Sequence, residues 1–156
     1  MRSMRIGPGQ IIAGKYEVLR VVGEGGMGRV LAARHIDLNQ EVALKFLRPD
    51  ARPVTVARFM REARAAVNIR SEYVATVFDV DRLDSGEPYL VMELLDGDDL
   101  AQLIAAHTAL AIPEVATLML QACEALSAAH AVGVIHRDVK PANLFLTRTS
   151  GGEPRV

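Results

Sequence analysis

The sequence predicts an α+β protein: a small antiparallel sheet carrying one helix, followed by a mainly helical region. Three observations lead there. Short runs rich in β-branched residues fill the first half, and a glycine-rich turn separates two of them. An apolar stripe at helical spacing runs through residues 113–132. After it comes a polar loop, His136-Arg137-Asp138-Val139-Lys140-Pro141-Ala142-Asn143, followed by the short apolar run Leu144-Phe145-Leu146.

The chain has 156 residues, enough for one ordinary domain, and half of them are hydrophobic, which favours a packed core over general disorder. A net charge of −1 gives no reason to expect a nucleic-acid partner. The single cysteine, Cys123, excludes an internal disulfide and a multi-cysteine zinc site; it is expected as a small core residue on a helix. The four histidines show no metal-ligand spacing. Residues 1–14 lack the apolar stretch of a signal peptide, and residues 113–132 hold Glu114, Gln121, Glu124 and His130, too polar for a membrane span. The expected location is cytoplasmic. Fifteen arginines accompany only three lysines, Lys15, Lys45 and Lys140, so a lysine here marks a place where a compact ammonium matters.

Taken in order, residues 1–14 read as a flexible lead-in, with Gly7-Pro8-Gly9 inside it. Strands are expected at Tyr16–Val22, Val30–Ala33 and Val42–Leu47. The glycines between the first two, Gly23, Gly25 and Gly28, have the G-x-G-x-x-G spacing. That spacing fits a dinucleotide-binding turn opening a helix over residues 28–36, or a glycine flap joining two antiparallel strands. The apolar run breaks at Asp37-Leu38-Asn39 and no acid ends the next strand, which favours the flap. Alternation sends Val42, Leu44 and Phe46 to one face of the third strand, and Ala43, Lys45 and Leu47 to the other. A small residue and a cation thus share a face, as a flat base with phosphates beyond it requires.

A helix is expected from Thr55 as N-cap, its buried face made by Val56, Phe59, Met60, Ala63 and Val67. Glu62 sits beside that stripe, near Arg58. Two more strands, Tyr73–Val80 and Tyr89–Met92, complete a five-stranded sheet. Acidic residues and Gly97 then change the character of the chain, and a helix begins at Leu100. Pro113–Val132 forms the long helix through Val115, Leu118, Met119, Ala122, Leu126 and Ala129, with Gly133 as its stop. Residues 149–154 read as a turn, and Arg155-Val156 as the start of another strand.

The loop at 136–143 carries the chemistry. Pro141 keeps it out of a helix interior. Asp138 offers a carboxylate for a hydroxyl proton, Lys140 an ammonium for phosphate charge, and Asn143 an amide oxygen for a hard cation. Singly, each residue fits a plain surface turn. Together they resemble the catalytic-loop signature of protein kinases, His-Arg-Asp, four residues, then Asn, with Val139 where Leu is usual. Val42-Ala43-Leu44-Lys45 resembles the family's Val-Ala-Ile-Lys, and the glycine loop its phosphate flap. Lys140-Pro141 and Gly25-Gly26-Met27-Gly28 are similar to bacterial members of the Ser/Thr-specific group.

The resemblance implies a two-lobe kinase fold: an N-lobe at 15–92, a hinge at 93–98 and a partial C-lobe at 99–156. It implies ATP and Mg²⁺ as cofactors, and a protein carrying Ser or Thr as substrate. Val22, Gly23, Glu24, Gly25, Gly26, Met27, Gly28, Val30 and Ala43 would cover the nucleotide, and Lys45 paired with Glu62 would orient its phosphates. Met92, Glu93, Leu95, Asp99 and Phe145 would complete the base and ribose pocket, and Asn143 would hold one Mg²⁺. Asp138, Lys140, Asn143, Lys45 and Glu62 are the implied catalytic set. Arg137 implies control by a phosphorylated activation loop, and a second kinase copy is a candidate dimer or autophosphorylation partner. The family's Asp-Phe-Gly motif does not occur within the sequence, so the expectation is an N-terminal part of a catalytic domain. An ATP-binding module without transfer is the alternative. A dinucleotide-binding oxidoreductase is the more distant one.

Overall fold

Alternation along β4 (Gln40–Leu47) divides its side chains as expected: Val42, Leu44 and Phe46 join the buried cluster, whereas Lys45 on the opposite face stays half-buried. The strand lies in the middle of a sheet seen in a computed structural model that describes residues 6–25, 28–106, 110–148 and 154–156. Its neighbours are β3 (Gly28–His35) and β6 (Pro88–Glu93), both antiparallel to it. β2 (Tyr16–Gly25) pairs with β3 through Gly25 opposite Gly28, closing a hairpin. β5 (Val77–Arg82) edges the sheet beside β6, and β1 (Ile11–Ile12) the other side beside β2. The spatial order is β1-β2-β3-β4-β6-β5, six strands among the described residues rather than the five expected.

From Ile6 onward the added strand corrects the reading of residues 1–14 as a flexible lead-in; residues 1–5 lie outside the described residues. Gly9 donates to the Val18 carbonyl at 2.8 Å and Val18 to that of Gln10 at 2.8 Å. Ile6 and Ile12 lie in the core cluster with Tyr16, Val18, Leu31, Ala33, Val42, Leu44, Phe46, Tyr89 and Val91. Leu44 is fully enclosed, which contributes about 1.5–3 kcal/mol over an exposed leucine. Phe46 stacks on Tyr89 at 5.5 Å between ring centres, and Tyr16 meets Tyr89 edge-on at 6.4 Å.

Helix α1 (Pro53–Ala66) packs along β5 and β6 and buries Met60 and Ala63. Its N-cap is Arg52, not Thr55, because Pro53 takes the first turn, where a missing N–H costs nothing. Residues 68–76 form no strand: the expected strand at Tyr73–Val80 is confined to Val77–Arg82. The chain divides into two compact units, Met1–Val67 with Thr76–Leu94, and Asn68–Ala75 with Leu95–Val156. Segment 68–75 therefore groups with the second unit, not with the first as its position in the sequence suggests.

The second unit holds β7 (Asp98–Asp99), α2 (Leu100–Ala105), α3 (Ile112–Ala131), β8 (Phe145–Arg148) and β9 (Pro154–Arg155), with strand order β7-β8-β9. Leu118, Ala122 and Ala129 are the buried side of α3. Cys123, one position off that line, is exposed rather than in the core. Val115 and Met119, expected in the stripe, are about two-fifths exposed, and Ile112 and Leu120 more so. Gly133 ends α3 with φ +78°: its N–H donates to the His130 carbonyl, and that of Val134 to the Ala129 carbonyl. This pair of bonds is the Schellman motif that glycine makes cheap. The expected turn at 149–154 lies almost wholly outside the described residues.

Candidate active site

Beyond the end of α3 lies Lys140, whose φ of −159° and ψ of 161° are what a residue before proline adopts. Pro141–Asn143 then make one 3₁₀ turn, closed by Asn143 N–H to the Lys140 carbonyl at 2.9 Å. That turn brings three functional groups together. Lys140 Nζ lies 2.7 Å from Asp138 Oδ2. Asn143 Nδ2 donates to the same oxygen at 3.0 Å and to the Asp138 carbonyl at 2.7 Å. Asp138 N–H donates in turn to His136 Nδ1 at 3.3 Å, and Arg137 between them takes φ +61°. A left-handed arginine is uncommon, and here two flanking anchors hold it there.

The electrostatics follow from these contacts. The hydrogen bond from Lys140, then that from Asn143, holds the Asp138 carboxyl below the ordinary carboxylate range. Asp138 is therefore an ionised acceptor at neutral pH. Lys140 has three donors and can hold Asp138 while meeting a phosphate oxygen. Both acceptors near the Asn143 amide face its nitrogen, so Oδ1 points away from Asp138 with no donor on it among the described residues. An uncommitted amide oxygen beside a carboxylate suits a hard divalent cation such as Mg²⁺.

The loop is fixed from its far side. β8 pairs with β7 through Phe145 opposite Asp99, and Leu100 N–H reaches the Leu144 carbonyl at 2.8 Å. A side chain on Gly97 would collide with the Leu146 carbonyl, and its φ is +146°, so this approach requires glycine. Sequence reading saw Gly97 only as a break. Asp99, a ribose candidate, caps α2: Oδ1 accepts from Gln102 N–H at 2.9 Å and Oδ2 from Gln102 Nε2 at 2.7 Å. The Asp99-x-x-Gln102 spacing carried that signal.

In the first unit, register places two rows on the face opposite the core. Val30, Lys45 and Leu90 form one; Ala32, Ala43 and Met92 form the other. Ala32 and Ala43 are buried without belonging to the core cluster, leaving a flat strip beside the Lys45 stem. The flap glycines differ from one another. A side chain on Gly28 would strike the Phe46 carbonyl, whereas one on Gly23 or Gly25 would meet nothing. Glycine at 28 is thus demanded by the sheet, and glycine at 23 and 25 is not. Val22 and Glu24 are exposed on the same hairpin, while Gly26 and Met27 lie outside the described residues.

One expected contact is corrected. Lys45 and Glu62 do not form an ion pair: Glu62 lies 3.8 Å from Arg58 Nε, one helical turn away, and is half-exposed. Among the described residues Lys45 has no carboxylate within ion-pair distance. The i,i+4 partner is simply nearer. Glu93 Oε2 accepts from Thr76 N–H at 3.0 Å, so its side chain is committed to the β6 end. In the second unit the Leu95 backbone makes no hydrogen bond among the described residues, and Phe145 is half-buried.

A flapped antiparallel sheet with a strand lysine, in a chain that also carries this Asp-Lys-Asn loop, defines the protein kinase class. The family described as Protein kinase domain matches residues 16–153, and the chain belongs to it. It is 41% identical over 145 residues to Serine/threonine-protein kinase Pkn1 of Myxococcus xanthus, covering 92% of this chain and 20% of that protein. It is 40% identical over 146 residues to Probable serine/threonine-protein kinase PknB of Corynebacterium glutamicum, covering 90% and 23%. The crystal structure of the M. tuberculosis PknI kinase domain is similar with TM-score 0.81 and 34% identity, over 91% of this chain and 57% of that one. The chain spans about a fifth of the length of these curated relatives. The dinucleotide-binding alternative falls on the same geometry: residues 28–35 are a strand, not a helix.

Proposed function

We propose that this chain supplies the nucleotide-binding sheet and catalytic loop of a bacterial-type serine/threonine protein kinase. The observation that carries the reading is the convergence of Lys140 and Asn143 on one oxygen of Asp138. That arrangement keeps the carboxylate ionised and oriented, as a base for an alcohol must be. The hydroxyl oxygen of an incoming Ser or Thr attacks the terminal phosphorus of ATP, the bond to the ADP oxygen breaks, and the hydroxyl proton passes to Asp138. Lys45 neutralises phosphate charge from the sheet face, and Lys140 neutralises it at the transferred group. The bare backbone at Gly23 and Gly25 lets phosphates approach main-chain N–H groups. A divalent cation such as Mg²⁺ would supply further neutralisation, with Asn143 Oδ1 its ligand on this loop. Val30, Ala43, Met92, Leu95 and Phe145 are the base-contacting set in this reading. The substrate is a protein hydroxyl, and the site of action is cytoplasmic; among the described residues no helix is long and apolar enough to cross a membrane.

The test is transfer of the terminal phosphate of ATP to protein Ser or Thr, in the presence of Mg²⁺. Asp138→Asn should lower the rate by about 10²–10⁴-fold. A second reading, nucleotide binding without transfer, is favoured by one feature, the absence of a Lys45–Glu62 pair. ATP that binds but leaves no phosphate on protein would select it.

A further inference from the structure

Arg29 follows Gly28 directly, yet it does not share the face of Lys45. Register sets Val30 opposite Lys45 and Arg29 opposite Phe46, so Arg29 projects to the core side. There its guanidinium meets two segments at once. Nη1 donates to the Ile6 carbonyl at 2.7 Å, and Nε lies 3.7 Å from Glu24 Oε2 on the neighbouring strand. The second distance is an ion-pair separation, too long for a hydrogen bond. Accordingly Arg29 Nε is buried with no hydrogen-bond partner, an unusual state for a guanidinium N–H. Glu24 is the exposed member of the pair and is the group able to move. The segment on the other side is anchored: Ile6 is in the core cluster, and Gly7 N–H is held by Gln10 Oε1 at 2.8 Å.

We infer that Arg29 is a positioning residue through which the segment at Ile6 sets the placement of the β2–β3 hairpin, and so tunes nucleotide affinity. It cannot touch a nucleotide on the Lys45 face, because the sheet stands between. It ties a backbone carbonyl far away in sequence to the strand carrying the flap glycines. A guanidinium is suited to this because its donors form a rigid fork, so displacing one end displaces the other. The nucleotide arm rests on the function proposed above; the link itself does not.

The experiment is amide hydrogen exchange on the whole chain, with Mg²⁺ and ATP affinity measured beside it. Arg29→Met and removal of residues 1–8 should each speed exchange of the β2–β3 amides by about fivefold or more. Combined, they should do no more than either alone, and Arg29→Lys should recover part of the loss. Protection of β4 and β6 should stay unchanged in Arg29→Met. ATP affinity should fall with hairpin protection across the series. Unchanged hairpin exchange, or effects of the two changes that simply multiply, would overturn the link. Should Arg29→Met lose protection throughout the sheet, Glu24→Gln decides instead: faster exchange confined to the hairpin supports the link, and no change removes it. A parent chain that binds no ATP while its hairpin still answers to residues 1–8 would refute the function and leave the link standing.

Discussion

The Lys140 ammonium lies 2.7 Å from the Asp138 carboxylate, an ion pair formed within a single loop. Both partners are partly exposed, so its worth is in orientation rather than stability. The consequence is a base whose charge state is set by its neighbours. With the Asp138 pKa depressed, its contribution to stability is present above the unfolded pKa and fades as pH falls through the folded one, below about pH 4. Carboxyl NMR should show Asp138 titrating below an ordinary aspartate, and Lys140→Met should move its midpoint upward. An unmoved midpoint would mean that Lys140 does not control it.

The two kinds of flap glycine make opposite predictions. Gly28→Ala must push a methyl into the Phe46 carbonyl and should cost roughly 1–3 kcal/mol in urea unfolding. Gly25→Ala meets open space and should stay within about 0.5 kcal/mol of the parent, while ATP affinity falls. Equal destabilisation by both would remove the distinction.

Asp99 tests a cap against a ligand. Asp99→Ala should cost about 1 kcal/mol through the lost bonds to Gln102, and Asp99→Asn only a few tenths. ATP affinity should be the same in Asp99→Asn as in the parent. A tenfold or larger loss there, estimated as about 1.4 kcal/mol, would restore the ribose contact.

Leu118 and Leu120 separate the two sides of α3. Leu118 is enclosed and Leu120 is 67% exposed. Leu118→Ala should cost about 2–5 kcal/mol, and Leu120→Ala almost nothing, by thermal or urea unfolding.

Much of this was legible in the sequence where several residues at fixed spacing agreed on one geometry. The spacing of Gly23, Gly25 and Gly28 fitted a helix-opening turn or a hairpin, the break at Asp37-Leu38-Asn39 favoured the hairpin, and alternation from Val42 to Leu47 assigned both faces of β4. The string from His136 to Asn143 gathered the loop's carboxylate, ammonium and amide in eight residues. What failed had physical reasons. Ile6 is a lone apolar residue before Gly7-Pro8-Gly9, and Ile11-Ile12 is a run of two, so their burial depends on long-range pairing that no local pattern announces. Tyr73–Val80 is rich in β-branched and aromatic residues like a strand, but ladder partners begin only at Val77. Glu62 had two cations to choose from, and the local one, Arg58, prevailed in this structure. Cys123 was assigned to the core by residue type, although the stripe from Leu118 through Ala122 to Ala129 leaves it outside.

Central to the account is that the Lys45 face and its glycine flap take ATP. Thermal unfolding of the chain alone, with ATP, and with ATP plus Mg²⁺ tests this most directly. A cooperative transition should be stabilised by ~2.7 kcal/mol at a hundredfold excess over Kd, and Lys45→Met should need far more ATP for the same shift. A transition that ATP does not move, or that it moves equally in Lys45→Met, would contradict the account.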